Sequence, residues 1–173
     1  MVGSGFPEVA DAVRESITGV RLYETDDTVG VEVASALVGL LALVAGFCLE
    51  SKISPSALAT MMSRGLAEAA RVGVRMGARE ETFHGLAGAG DLYAAMAGDE
   101  RAELRLGRAL ARSSDLEAAG REAGAYIEGV TIARRVASYA ERVGVHAPIA
   151  AVIADVLEGR LTPEGALERL MSR

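Results

Sequence analysis

Apolar positions recur at helical spacing along almost the whole chain after residue 26, and alternate like a strand only once before it. Glu8 to Ser16 has the rhythm of a short amphipathic helix, and Gly19-Val20-Arg21-Leu22-Tyr23 alternates as a strand before Asp26-Asp27 ends it. This pair looks like the last helix and strand of an α/β unit. A lone strand is unstable without partners, so it needs either another copy or a domain upstream. From there the pattern predicts helices throughout. Asp26 or Asp27 can cap one running to about Leu49. Ser54-Pro55 opens the next, since proline tolerates the first helical position, and Gly77 is its stop. Further helices fit Asp91–Ala97, Asp99–Arg112, Glu128–Val143 and Pro148–Leu157. Thr162 caps the last, with Pro163 at its first position and Glu164 in its first turn. The expected fold is all-α, a multi-helix bundle around a buried central helix, with a short helix–strand piece at residues 1–25 ahead of a helical domain over 26–173.

Val29 to Leu49 is broken only by Glu32 and Ser35, and its length suits a membrane span of roughly 20 residues. Its flanks are acidic (Asp26, Asp27, Glu50), and no basic cluster anchors it. A helix apolar on all sides is also what the centre of a bundle requires, and the buried reading is preferred.

Composition narrows the function. The chain has 173 residues, half of them apolar, and a formal net charge of −6. That is enough chain for a core and too acidic for nucleic-acid binding, which needs a basic footprint. The single Cys48 allows no internal disulfide and no cysteine zinc cage, and His84 and His146 are too few for a metal site. No basic segment leads into an apolar stretch at the start, so a cytoplasmic protein is expected. There is no Trp, Asn or Gln, and Lys52 is the sole lysine. Such a bias accompanies either a hot environment or a GC-rich genome. Any chemistry must therefore use carboxylates, arginine, hydroxyls, the two histidines or Lys52.

The densest candidate for chemistry is Gly85-Leu86-Ala87-Gly88-Ala89-Gly90-Asp91-Leu92. Three glycines ahead of a helix make a tight turn with exposed N–H groups, able to approach a ligand closely or bind an anion. Packing glycines with Asp91 as a helix cap is the competing account. No strand precedes the segment, so it is not a dinucleotide fingerprint. Glu128-Gly129 is either a cap or a ligand contact. Gly65 sits mid-helix and signals a close helix crossing, with Arg64 beside it in an ion pair. His146 belongs to a loop, and Cys48 is a core residue.

Taken together, several segments resemble the C-terminal, substrate-binding domain of NAD(P)-dependent glycerol-3-phosphate dehydrogenases. They are Val29-Gly30-Val31-Glu32, Ser63-Arg64-Gly65-Leu66-Ala67-Glu68, Thr82-Phe83-His84 with the glycine run through Leu92, Glu128-Gly129 and His146-Ala147-Pro148-Ile149. Arg21-Leu22-Tyr23 ahead of Asp26-Asp27 resembles the strand that closes that family's nucleotide-binding domain, so residues 1–25 read as a remnant of it. The resemblance implies the all-α fold of the 6-phosphogluconate dehydrogenase C-terminal-like group.

It also shows departures. The family's substrate-contacting Lys-Asn pair, whose lysine serves in proton transfer, aligns with Val38 and Gly39. Its two threonines align with Ala95 and Ala97, and its Ser-Arg-Asn with Arg101-Ala102-Glu103. What the resemblance leaves is Asp91, Arg64 and Arg101 as substrate-binding candidates and Glu128 as a cofactor-binding one, with no catalytic residue and no metal site. The chain is expected to bind no cofactor alone, NAD(P) belonging to it only by resemblance. The expected partners are a second copy in a dimer or a separate nucleotide-binding chain, with neither nucleic acid nor membrane.

Overall fold

In the computed structural model, residues 1–98, 101–113, 115–124 and 128–171 are described, the side chains of 128–130 excepted. The order is β1 (Val2–Gly3), α1 (Pro7–Ser16), β2 (Glu24–Thr25), α2 (Thr28–Glu50), α3 (Pro55–Arg75), α4 (Glu80–His84), a π-helical turn (Leu86–Gly90), α5 (Asp91–Ala97), α6 (Ala102–Arg112), α7 (Leu116–Ala123), α8 (Glu128–Val143), α9 (Pro148–Leu157) and α10 (Pro163–Met171). The all-α architecture expected from the sequence is what forms.

The N-terminal strand is shifted from its predicted place. It lies at Glu24–Thr25 rather than Val20–Tyr23, and its partner is in the same chain: β1 pairs with β2 in parallel, Val2 opposite Glu24 and Gly3 opposite Thr25. The Val2 N–H donates to Tyr23 O at 2.8 Å, and the Ser4 N–H to Thr25 O at 3.0 Å. β1 is only two residues long, so it selects which residues of the alternating stretch join a ladder.

α2 is the axis. It is long and apolar enough to cross a membrane, yet 72% of its most apolar window is buried inside the bundle. Every residue from Leu37 to Cys48 is buried, which an all-round apolar helix requires of its neighbours. The most extensive helix contact is between α2 and α6, with α3, α5 and α8 completing the sheath. Close approach to α6 depends on two glycines. A Cβ on Gly46 would stand 2.0 Å from Leu104 O, and one on Gly107 would stand 1.9 Å from Leu43 O. The crossing foreseen at Gly65 is also present, against the Leu41 side chain.

Two buried carboxylates fasten the helix ends. Asp27 caps α2 by accepting the Gly30 N–H at 2.9 Å, while its other oxygen accepts the Arg79 N–H at 3.0 Å and the Thr82 hydroxyl at 2.5 Å. One side chain therefore ties the start of α2 to α4. Burial is the largest single influence on Asp27 and raises its pKa. The bonds from Thr82, Arg79 and Gly30, with the Arg79 charge, together outweigh it and hold the pKa below the usual range. Glu68, on α3, accepts the N–H groups of Ile149 and Ala150 at 2.9 and 2.8 Å and so caps α9 from another helix. There burial prevails, and the Glu68 pKa is raised.

Ser54 and Thr162 cap α3 and α10 as predicted. Gly77 follows the end of α3 with φ +99°. α4 and α7 were not foreseen, being short and lacking a full apolar period. The predicted helix from Asp99 begins at Ala102, and residues 99–100 lie outside the described part. Arg64 departs from its expected ion pair, its guanidinium donating instead to the Leu170 carbonyl at 2.9 Å.

Candidate functional site

A groove of about 620 Å³ runs along the outer side of α2. Val31, Glu32, Ser35, Ala36 and Gly39 form its floor, at the spacing that puts residues on one helical face. Arg101 and Glu103, at the start of α6, and Ile132 of α8 form its walls.

Arg101 is committed within the protein. Its guanidinium donates to both oxygens of Asp91, at 3.0 and 2.8 Å, with each side chain about a third exposed. The structure thus brings two of the predicted substrate residues together, as partners of each other. Arg64 is not among the residues lining this groove, and the Glu128 side chain lies outside the described residues. Glu103 was not singled out as a site residue by the sequence. It is half-buried and reaches over α2, so that a Cβ on Gly39 would stand 3.6 Å from its Oε1. Among the described residues neither Glu32 nor Glu103 has a cationic partner. With the Arg101 charge met by Asp91, the groove is left acidic. A phosphate wants directed cationic donors, and Arg101, the cation among the described lining residues, is already held by Asp91.

The glycine run behaves differently from its expected form. Instead of an open turn capped by Asp91, Leu86–Gly90 makes a π-helical turn that continues into α5, with Gly90 itself helical. The Gly90 N–H is spent on Gly85 O at 3.0 Å, and the Asp91 N–H on Gly88 O and Leu86 O. Gly88 packs flat on the end of α4, where an added Cβ would meet Phe83 O at 2.0 Å. Close packing explains Gly88, and donors used internally cannot cradle an anion. Val38 is equally internal, 1% exposed within the core and absent from the groove lining. Cys48 is fully buried, and burial pushes its thiol up to about 11. Among the described residues, no group of three or more His, Cys, Asp or Glu stands close enough to hold a metal ion.

A helical sheath around one apolar axis, with a groove along that axis and a helix–strand piece at its N-terminal edge, defines the class as an all-α domain. Residues 27–168 match the family described as NAD-dependent glycerol-3-phosphate dehydrogenase C-terminus, and the chain belongs to that family. It is similar to the glycerol-3-phosphate dehydrogenase [NAD(P)+] of Dechloromonas aromatica, 46% identical over 156 residues, which are 90% of this chain and 47% of that protein. The enzyme of the same name from Symbiobacterium thermophilum is 42% identical over 95% of this chain and 49% of its own length. Among solved structures, glycerol-3-phosphate dehydrogenase from Coxiella burnetii superposes with a TM-score of 0.90 at 29% identity, covering 97% of this chain and 52% of that one. The chain thus spans about half the length of the relatives it matches.

The family is NAD(P)-dependent, and a dinucleotide needs a strand, a glycine turn and a helix N-terminus around its pyrophosphate. The glycine-rich segment here follows a helix rather than a strand, and its Gly85, Gly90 and Asp91 N–H groups are used within the chain, so this segment does not fit that cofactor.

Proposed function

We propose that this chain is a glycerol-3-phosphate dehydrogenase-related binding or assembly module that does not catalyse the dehydrogenase reaction by itself. The observation that carries this reading is Val38, buried in the core at the position where the resemblance aligns the proton-transferring lysine. Reduction of a ketone by hydride needs a positioned acid for the developing alkoxide, worth roughly 10²–10⁴-fold, and valine has no proton to give. Lys52 lies beyond the far end of α2, ~20 Å along the axis from Val38 at ~1.5 Å per residue. The acidic groove adds to the argument, since it disfavours the phosphate that the substrate of such an enzyme carries.

A second reading has a specific observation in its favour. Phe6, Val9 and Val20 are 65%, 48% and 63% exposed around a two-stranded parallel sheet. Parallel sheets are ordinarily covered on both faces. In this alternative the chain is a substrate-domain subunit, and a separate nucleotide-binding chain covers that edge and supplies NAD(P) for dihydroxyacetone phosphate and glycerol 3-phosphate. In the first reading the same edge serves a dimer of a cytoplasmic protein.

Calorimetric titration with each phosphate, with and without NADH, separates the two. The module reading expects no binding, and Val38→Lys with Gly39→Asn is expected to create no turnover. Binding of either phosphate that Asp91→Ala abolishes would overturn it in favour of the two-chain enzyme.

A further inference from the structure

Between α3 and α8 lies another groove, of about 500 Å³. Val72, Met76, Val136 and Tyr139 give it an apolar floor, while Arg135 and Arg142 stand at its rim. The two arginines are seven residues apart on α8 and share a face with Tyr139 between them. The Tyr139 hydroxyl donates to Arg75 O at 2.9 Å, which fixes the ring, and the Arg142 guanidinium lies 5.6 Å from the ring centroid.

Most arginines elsewhere are met by carboxylates, Arg21 and Arg64 being exceptions. The guanidinium groups of Arg14, Arg79, Arg101, Arg112, Arg134 and Arg160 each meet a carboxylate. Among the described residues, Arg135 and Arg142 have no ion-pair partner. Arg71 and Arg75, on the adjoining turns of α3, donate only to the main-chain oxygens of His146 and Val143. Among the described residues, Arg135 and Arg142 thus stand at the groove with no carboxylate partner, on a chain whose net charge is −6.

We propose that this groove binds an anionic amphiphile, a small molecule with an apolar chain or ring for the floor and a carboxylate or phosphate head for Arg135 and Arg142. The volume is that of a small-molecule site, about 300–1,000 Å³, and the charges complement the head. A macromolecular interface would need roughly 800 Å² from each side, whereas the large exposed apolar side chains at this face are Val74 and Met76, each 46% exposed.

Titration of the full chain with decanoate, decanol and decyltrimethylammonium tests this. The expected result is saturable one-to-one binding of decanoate, with decanol and the cation at least tenfold weaker. The affinity should fall as salt screens the arginines. Arg135→Gln with Arg142→Gln should cost at least tenfold, as should Met76→Glu, while Arg121→Gln on exposed α7 leaves binding unchanged. All are exposed positions, and circular dichroism checks that each variant is folded. Equal affinity for decanol, or decanoate binding insensitive to the double substitution, would overturn the proposal. So would absence of decanoate binding together with arginine-dependent binding of an acidic peptide, which would assign the face to a protein partner.

Discussion

Gly107→Ala tests whether backbone contact between α2 and α6 sets the geometry of the bundle. The added methyl would stand 1.9 Å from Leu43 O and 2.7 Å from Phe47 N, both main-chain atoms of the neighbouring helix. A carbon and an oxygen in ordinary contact are more than 3 Å apart. The helices must therefore separate by about 1 Å or more along their most extensive contact, because no side chain can rotate out of the way. Overpacking costs about 1–3 kcal/mol, and a rigid backbone obstacle belongs at about 3. Alanine recovers about 1 kcal/mol of helix propensity, which leaves a loss of about 2 kcal/mol, or roughly 4–8 °C in Tm for a chain this size. Gly65→Ala is the internal control. Its methyl would stand 2.4 Å from Leu41 Cδ2, the end of a flexible side chain, so strain and propensity should cancel to within about 1 kcal/mol. Urea unfolding at equilibrium, read by far-ultraviolet circular dichroism, measures both. If Gly107→Ala is as stable as the parent chain, or loses less than Gly65→Ala, the reasoning from backbone contact is wrong.

Further outcomes follow from the buried carboxylates and the thiol. Asp27→Asn removes the charge that accepts three donors joining α2 to α4 and should cost about 2 kcal/mol by thermal unfolding. Because the folded Asp27 pKa is lowered, its contribution is full above the unfolded value near 3.8 and is lost as pH falls through the folded one; the Asn variant should lose that acid-side slope. Glu68 has the opposite sign. Its folded pKa is raised, so its contribution is greatest below the unfolded value near 4.5 and declines as pH rises through the folded one. Glu68→Gln should flatten that decline, while turning an amide N–H toward one α9 donor at a cost of about 1–3 kcal/mol. Cys48, buried and with its thiol pushed up to about 11, should stay unreacted with a thiol reagent at pH 8 in the native state and react fully in denaturant.

The helical class, the axis and most helix ends were legible in the sequence because their causes are local. Ser54-Pro55 and Thr162-Pro163 carry capping chemistry within four residues, and the unbroken apolar run after Val29 needs burial on every side wherever it lies. The family was legible too, through short segments in order. The site was less so. Asp91 and Arg101 were both marked, but nothing local says that they satisfy each other, since their pairing depends on how α5 returns the chain toward α6. Glu103 was marked only as standing at the family's asparagine, because its place over Gly39 exists only where α6 crosses α2. Asp27 was read as a cap, which is local, but its bonds to Arg79 and Thr82 span more than fifty residues. Glu68 reaches Ile149 across 81 residues.

The glycines mark the same divide. Their positions in the chain announce close approach, yet whether the neighbour is a movable Leu41 side chain or the fixed carbonyls of Leu43 and Leu104 is a property of the crossing. The sequence by itself determined most of the helical segments, α4 and α7 excepted, and which one must be enclosed, because periodicity and capping act over a few residues. The tertiary structure alone decided which charges are neutralised and which stay available. That depends on distances between residues that the chain brings together only by folding.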